Sequence, residues 1–252
     1  MLKKRIIPCL DIDNGNVVKG VFFKNTKNIG NPVDLAKFYS GNGADELCLL
    51  DITATIDSRD AIYKIIHDVS AECSIPFCVG GGIKDINDAS KIIINGADKV
   101  SIGSAAVLNP KIINDIANKF GSQCVVVSID VKTDKDGSYY VYIKGGRERT
   151  DKKALDFALE CQSLGAGEVL LNSIDSDGNK SGFDIVLNKM ISSKLNIPVI
   201  ASGGAGDVKD FIILAKETNV SAFLAASVFH FNIVNINHLK NDMLINKINV
   251  RI

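Results

Sequence analysis

Eight short apolar runs, separated by segments with helical spacing, recur from one end of this chain to the other. They are Arg5–Leu10, Glu46–Asp51, Pro76–Val79, Lys99–Ile102, Cys124–Ile129, Glu168–Asn172, Pro198–Ala201 and Ala222–Ala225. Short runs that are apolar nearly throughout are expected of strands buried on both faces of a parallel sheet. Between them, Pro32–Asn42, Asp60–Cys73, Ile86–Asn95 and Pro110–Phe120 place apolar residues three and four positions apart, the period of a helix with one buried stripe. The alternation predicts eight β/α units, and eight such units close into a (β/α)8 TIM barrel, an α/β fold. The 252 residues match the length of one barrel, so 1–252 is expected to form a single domain.

An open doubly wound sheet is the rival architecture, but it carries one phosphate loop at a switch point, whereas glycine turns here follow several strands. Internal similarity also favours closure. Ile-Ile-Pro-Cys-Leu-Asp11 resembles Val-Val-Val-Ser-Ile-Asp130, and Gly-Ala-Asp-Glu46-Leu resembles Gly-Ala-Gly-Glu168-Val. Asp11 and Asp130 lie 119 positions apart, Glu46 and Glu168 122, Gly81 and Gly203 122, and Ser104 and Ser227 123. Two half-barrels of four units each explain that register.

Barrel active sites lie at the C-terminal ends of the strands. Asp11 and Asp130 finish the first and fifth runs, half a barrel apart, which places one carboxylate on each side of the same mouth. Such a pair suits one group to donate a proton while the other removes one; a lone strand-terminal Asp often only caps the following turn. The glycine turns Gly81–Gly82 with Gly103–Ser104, and Gly203–Gly204 with Ala226–Ser227, expose backbone N–H groups to an anion. One such turn says little, but two related pairs point to a ligand with a phosphate at each end.

Lys19 lies in a long polar stretch, Asp13 to Asn31, that reads as a mobile lid over the mouth, although a solvated lysine is the simpler reading of the residue alone. A second stretch, Asp134 to Asp151, carries Gly145-Gly146-Arg147 and reads as a flexible hairpin or as a source of backbone donors. At the opposite end, Arg5, Glu46, Lys99 and Glu168 each begin a run. They either hydrate the rim or form a closed ring of ion pairs across the bottom of the barrel.

Composition narrows the function classes. The 29 Lys plus Arg balance 29 Asp plus Glu, so no basic field favours nucleic acid or a membrane surface, and any anion must be held by local geometry. No apolar run approaches the roughly 18 residues of a membrane span, and a cytoplasmic protein is expected. The six cysteines show no C-x-x-C spacing and sit mostly among apolar residues, as buried thiols do. With three histidines that form no cluster, no metal is expected.

The motifs at these positions are Arg5-Ile-Ile-Pro-Cys-Leu-Asp11, Asn16-Val-Val-Lys-Gly20, Asp45-Glu-Leu, Asp51-Ile-Thr-Ala54, Val79-Gly-Gly-Gly-Ile83, Gly96-Ala-Asp-Lys-Val100, Asp175-Ser-Asp-Gly178, Ile200-Ala-Ser-Gly-Gly-Ala-Gly206 and Leu224-Ala-Ala-Ser-Val-Phe-His230. Together they resemble the cyclase subunit family of imidazole glycerol phosphate synthase, in histidine biosynthesis, over nearly the whole chain. The resemblance implies a barrel that works with a glutaminase subunit, whose ammonia crosses the barrel to the active face. The implied substrate is a phosphoribulosyl-formimino aminoimidazole carboxamide ribonucleotide, with a phosphate at each end. The implied products are imidazole glycerol phosphate and the aminoimidazole carboxamide ribonucleotide.

By the same resemblance, Asp11 and Asp130 are the acid–base pair, and Arg5, Glu46, Lys99 and Glu168 form the ammonia gate. Asp98 lies at the glutaminase-facing surface. Lys19, Gly82, Gly103, Ser104, Asn172, Asp177, Gly178, Ser202, Gly203, Gly204, Ala226 and Ser227 contact the substrate or its phosphates. No cofactor and no metal are implied.

Three positions depart from the family pattern: Gly103 stands for a common Asn, Asn172 for the usual Thr, and Ser176 for a usual Arg. Asn172 resembles a paralogous branch in which the barrel supplies ammonia for amidating a surface sugar, while Asp11 and Asp130 argue for cyclisation. A related isomerase of the same pathway also has two barrel aspartates, but Pro-Cys-Leu-Asp11 and Val-Val-Lys-Gly20 point to the cyclase. A non-enzymatic conduit that only docks and activates a glutaminase is a further alternative.

Overall fold

The computed structural model describes residues 3–21, 24–52 and 59–252. Phe22 and Phe23 of the first long loop, and Thr53 and Ala54 of the Asp51–Ala54 motif, lie outside the described residues. In chain order the elements are β1 (Arg5–Asp13), β2 (Asn16–Val21), β3 (Lys24–Gly30), α1 (Pro32–Gly41), β4 (Leu47–Asp51), α2 (Arg59–Glu72), β5 (Phe77–Gly80), α3 (Ile86–Ile94), β6 (Lys99–Ile102), α4 (Ser104–Leu108) and α5 (Lys111–Phe120). They continue as β7 (Val125–Thr133), β8 (Tyr139–Ile143), β9 (Glu148–Lys153), α6 (Ala154–Ser163), β10 (Glu168–Ser173), α7 (Ile185–Ser192), β11 (Val199–Ser202), α8 (Val208–Glu217), β12 (Ala222–Ala225), α9 (Ser227–His230) and α10 (Ile236–Ile245).

Eight of these strands pair in parallel in the order β1-β4-β5-β6-β7-β10-β11-β12, and β12 returns to β1 with Arg5 opposite Ala222, so the barrel closes. Closure leaves no strand edge to cover within the barrel itself. Each barrel strand corresponds to one of the eight apolar runs, within a few residues at the ends.

Alternation along the strands sorts side chains into two layers. Ile6, Leu10, Leu47, Leu49, Val79, Val100, Ile102, Val125, Val127, Val169, Val199 and Phe223 face the helices in the larger core. Phe211 and Phe223, both fully buried, meet edge to face with ring centroids 5.7 Å apart; truncating either to Ala costs about 3–5 kcal/mol. Ile7, Cys9, Cys48, Cys78, Val126, Leu170, Ile200, Ala222 and Leu224 face inwards and fill the middle of the barrel. Cys9, Cys48, Cys78 and Cys161 are buried as expected, whereas Cys73 and Cys124 are partly exposed beside helix ends.

The helices start where short polar side chains satisfy the first N–H groups. Asn31 accepts from Val33 and Asp34, Asp85 from Asn87 and Asp88, and Asp207 from Lys209 in a capping box with Asp210. Among the described residues, four helices lack such a bond: α5 and α6, begun at Pro110 and Lys153, and α4 and α9, where Gly103 and Ala226 leave the N-termini at the mouth without a side-chain cap.

The first long stretch corrects the sequence-based expectation of an irregular loop, and the second forms the hairpin that is one of its two readings. Asp13 to Asn31 carries the antiparallel hairpin β2–β3, built on β1 through the Asp11–Val18 and Ile12–Val17 pairs. Asp134 to Asp151 carries most of the hairpin β8–β9, built on β7 through Asp130–Tyr142 and Val131–Val141. Ile12 and Val131 explain both extensions. They are 2% and 1% exposed and keep the alternation going beyond the barrel, so β1 and β7 run on after their carboxylates and each picks up an antiparallel partner. No helix among the described residues is long and apolar enough to cross a membrane.

Candidate active site

Asp11 and Asp130 occupy equivalent places, each where a barrel strand leaves its parallel neighbour and joins a hairpin. Asp11 is opposite Leu50 of β4 and Val18 of β2; Asp130 is opposite Asn172 of β10 and Tyr142 of β8. Both belong to the inward-facing set and crown the apolar interior. β1 and β7 stand four strands apart in the closed order, so the carboxylates face one another across the mouth.

Their partners differ. Lys19, brought over the mouth by β2, places Nζ 2.7 Å from Asp11 Oδ2, while Cys9 Sγ lies 3.5 Å from Oδ1. Burial pulls the Lys19 ammonium down, but the charge and hydrogen bond of Asp11 overcome it and leave Lys19 raised. Asp130 has a neutral donor instead: Asn172 Nδ2 donates to Oδ1 at 3.0 Å. Burial pushes the Asp130 carboxyl above the usual carboxylate range, the Asn172 bond acts against it, and the charge of Asp177 adds to the rise. Asp177 itself is pushed up by desolvation, with Lys19 opposing and Asp11 reinforcing the shift. Asp11, Lys19, Asp130, Asn172 and Asp177 thus form one electrostatic unit.

The glycine turns lie on opposite sides of this unit, after β5 and β6 on one side and β11 and β12 on the other. Glycine is obligatory at Gly81 and Gly203. Their φ angles are +98° and +90°, and a Cβ would stand 2.0 Å from the Asp51 carbonyl oxygen or 2.6 Å from that of Ser173. Ser104 and Ser227 open α4 and α9 beside these turns. Ser104 Oγ already accepts from the Lys144 amide at 2.9 Å, so the β8–β9 hairpin tip reaches the first turn. Gly178, Ser202, Gly204 and Ala226 fall on the same rim, and Gly82 adjoins Gly81.

Gly103 differs from the other turn glycines. Its φ is −109°, and a Cβ would meet nothing nearer than the Ser128 carbonyl oxygen at 3.6 Å. A Cβ there has room, and its absence leaves open space beside the first turn.

At the other end, Arg5, Glu46, Lys99 and Glu168 close into a ring. Arg5 Nη1 lies 2.6 Å from Glu46 Oε2 and Nη2 3.0 Å from Glu168 Oε2, while Lys99 Nζ lies 2.9 Å from Glu46 Oε1 and 2.9 Å from Glu168 Oε1. Each cation sits between both acids. Burial pulls Lys99 down, and the two carboxylates raise it above its ordinary value. The ring closes one end of the inward-facing interior, whose other end carries Asp11 and Asp130; Arg5 shares β1 with Asp11. Asp98, exposed beside it, accepts from the Phe77 amide at 2.9 Å.

Some contacts have no local sign in the sequence. The buried Asp45 accepts from the Ile6 amide at 2.8 Å and from Lys240 Nζ at 2.9 Å, fixing the chain on either side of the ring. His230 bridges Tyr39 Oη at 2.7 Å and the Cys9 carbonyl oxygen at 2.9 Å, tying α9 and α1 to the strand that carries Asp11. Asp175 accepts from the Thr133 amide at 2.8 Å and secures the loop before Asp177. The inward-facing parity of Cys9, Cys48 and Cys78 is the one signal that alternate-residue counting would reveal. The Asn172 bond to Asp130 adds to the substrate contact expected of that residue.

The family model described as histidine biosynthesis protein matches residues 5–235. The chain is 50% identical to imidazole glycerol phosphate synthase subunit HisF of Lactococcus lactis subsp. cremoris (strain SK11), covering 100% of this chain and 98% of the relative. It is 52% identical to the protein of that name from Alkaliphilus metalliredigens (strain QYMF), over 96% of each. It is 51% identical to that of Hydrogenobaculum sp. (strain Y04AAS1), over 100% of each. A barrel with this mouth and this closed ring, alike from end to end with those proteins, belongs to the family of imidazole glycerol phosphate synthase HisF subunits.

Proposed function

We propose that this barrel cyclises the bisphosphorylated phosphoribulosyl-formimino ribonucleotide with ammonia supplied by a glutaminase partner, releasing imidazole glycerol phosphate and the aminoimidazole carboxamide ribonucleotide. One observation carries the reading. Two carboxylates with unlike partners face one another across a mouth whose opposite rims both carry glycine turns. Substrate lies between the rims, one phosphate near Gly82 and Ser104 and the other near Gly204 and Ser227, where backbone N–H groups and uncapped helix starts favour anions.

Between the phosphates the substrate presents its reacting centre to Asp11 and Asp130. Asp11, paired with the Lys19 ammonium, serves as the base that takes a proton from the attacking nitrogen. Asp130, whose environment favours its protonated form, delivers one to the departing amine. The closed ring and apolar interior suit a small neutral nitrogen nucleophile arriving from the side that carries Asp98. The surface-sugar alternative is not favoured, since the relatives matched over their full length carry the synthase name.

The test is direct: the purified chain is given the ribonucleotide with ammonium salt at alkaline pH while substrate absorbance is followed. Turnover that disappears in Asp11→Asn and in Asp130→Asn supports the reading. Wild-type turnover in both variants overturns the acid–base assignment.

A further inference from the structure

The amide of Asn172 is fixed from both sides. Asn172 stands in register with Asp130 across β7 and β10, and its Nδ2 donates to Asp130 Oδ1 at 3.0 Å. Its Oδ1 is turned to Gly203, where a Cβ would stand only 3.2 Å away. A carboxylate oxygen accepts and cannot donate, so the NH2 end must face Asp130 and the carbonyl end must take the side that Gly203 leaves clear. Asp11 has no amide donor; its partners are the ammonium of Lys19, carried on a separate hairpin, and the weakly donating Cys9 thiol at 3.5 Å.

We propose that Asn172 is a positioning residue for Asp130. It holds the carboxyl in one orientation, leaves Oδ2 to exchange the proton with substrate, and stabilises the carboxylate that remains once the proton has gone. The inference rests on the reading of Asp130 as an acid–base group. Burial alone would hold the proton on Asp130, and a donor that needs no proton of its own offsets this without adding charge. The other ionisable groups at this mouth are Asp177 on the loop after β10, Tyr142 opposite Asp130 on β8, and the Lys19–Asp11 pair across it. Among the described residues none of these donates to Asp130.

The experiment titrates the Asp130 carboxyl by 13C NMR in protein labelled at the aspartate side-chain carbons, with its signal identified by its loss in Asp130→Asn. In Asn172→Leu, of similar size but without a donor, the Asp130 midpoint moves upward. With ammonium as nitrogen source, kcat falls about tenfold or more while KM changes by less than about twofold. Asn172→Thr, which keeps a hydroxyl donor and suits a strand, returns the midpoint towards the wild-type position and guards against a Leu variant that fails to fold. An unmoved midpoint in both variants overturns the proposal. So does a rise in KM with kcat unchanged, which would make Asn172 a substrate contact only. If Asp130→Asn keeps full turnover while the midpoint still responds to Asn172, the acid–base reading fails and the contact stands.

Discussion

In the proposed reaction Asp11 and Asp130 exchange the protons, and their unlike environments give each a separate prediction. Either change to Asn keeps shape and removes the ionisable group, so turnover with ammonium should fall by about 10²–10⁴ while phosphate-ligand affinity is retained. Stability separates the two further. The folded Asp130 carboxyl keeps its proton to higher pH than the unfolded value of about 3.9. Its contribution is therefore most favourable below that value and is lost as pH rises through the raised folded value. Asp130→Asn removes this loss, so the Tm of the variant relative to wild type should increase as pH rises from about pH 4 through the raised folded value; a relative decrease over that rise in calorimetry contradicts it. Both aspartates were legible in the sequence because they end apolar runs at matching positions. The Asn172 partner was not, because it depends on the register of two strands 42 residues apart in sequence.

At the scale of elements, the turn glycines divide into those the backbone demands and one it does not. Gly81→Ala forces a Cβ to 2.0 Å from a carbonyl oxygen at φ +98° and should cost at least about 2 kcal/mol, lowering Tm by roughly 4 °C or more. Gly103→Asn should leave Tm within about 2 °C, since φ is −109° and space is open. It should also tighten inorganic phosphate binding by adding a donor beside Ser104, as titration calorimetry of both proteins would show; weaker binding would mean that the open space serves the ligand. The eight barrel strands were legible because their Val, Ile and Leu content satisfies two buried faces. The β2–β3 hairpin was not, and the β8–β9 hairpin was legible only as one of two readings of its stretch. Lys24–Gly30 and Glu148–Lys153 are polar and charged, and they form strands because β1 and β7 outrun the barrel and offer them an edge.

Across the whole molecule, one column of inward-facing residues joins the Arg5–Glu46–Lys99–Glu168 ring, the apolar interior and the two carboxylates. Its two layers could be counted from strand periodicity, whereas the closing of the ring depends on four strand starts meeting in space. Lys99→Met takes the cation from between two acids that are almost fully buried, which should cost about 3 kcal/mol and lower Tm. If nitrogen enters through the ring, the same change should disturb turnover with glutamine and a glutaminase several-fold more than turnover with external ammonium, which reaches the mouth directly. Equal effects on both would place the nitrogen route elsewhere.

The most direct measurement compares nitrogen sources for the purified chain with the bisphosphorylated ribonucleotide. Ammonium alone should support conversion to the two imidazole products, and glutamine should do so only when a glutaminase subunit is added. Failure with ammonium, or robust glutamine-dependent conversion by the chain alone after contaminating glutaminase is excluded, would contradict a cyclase that draws its ammonia from a partner.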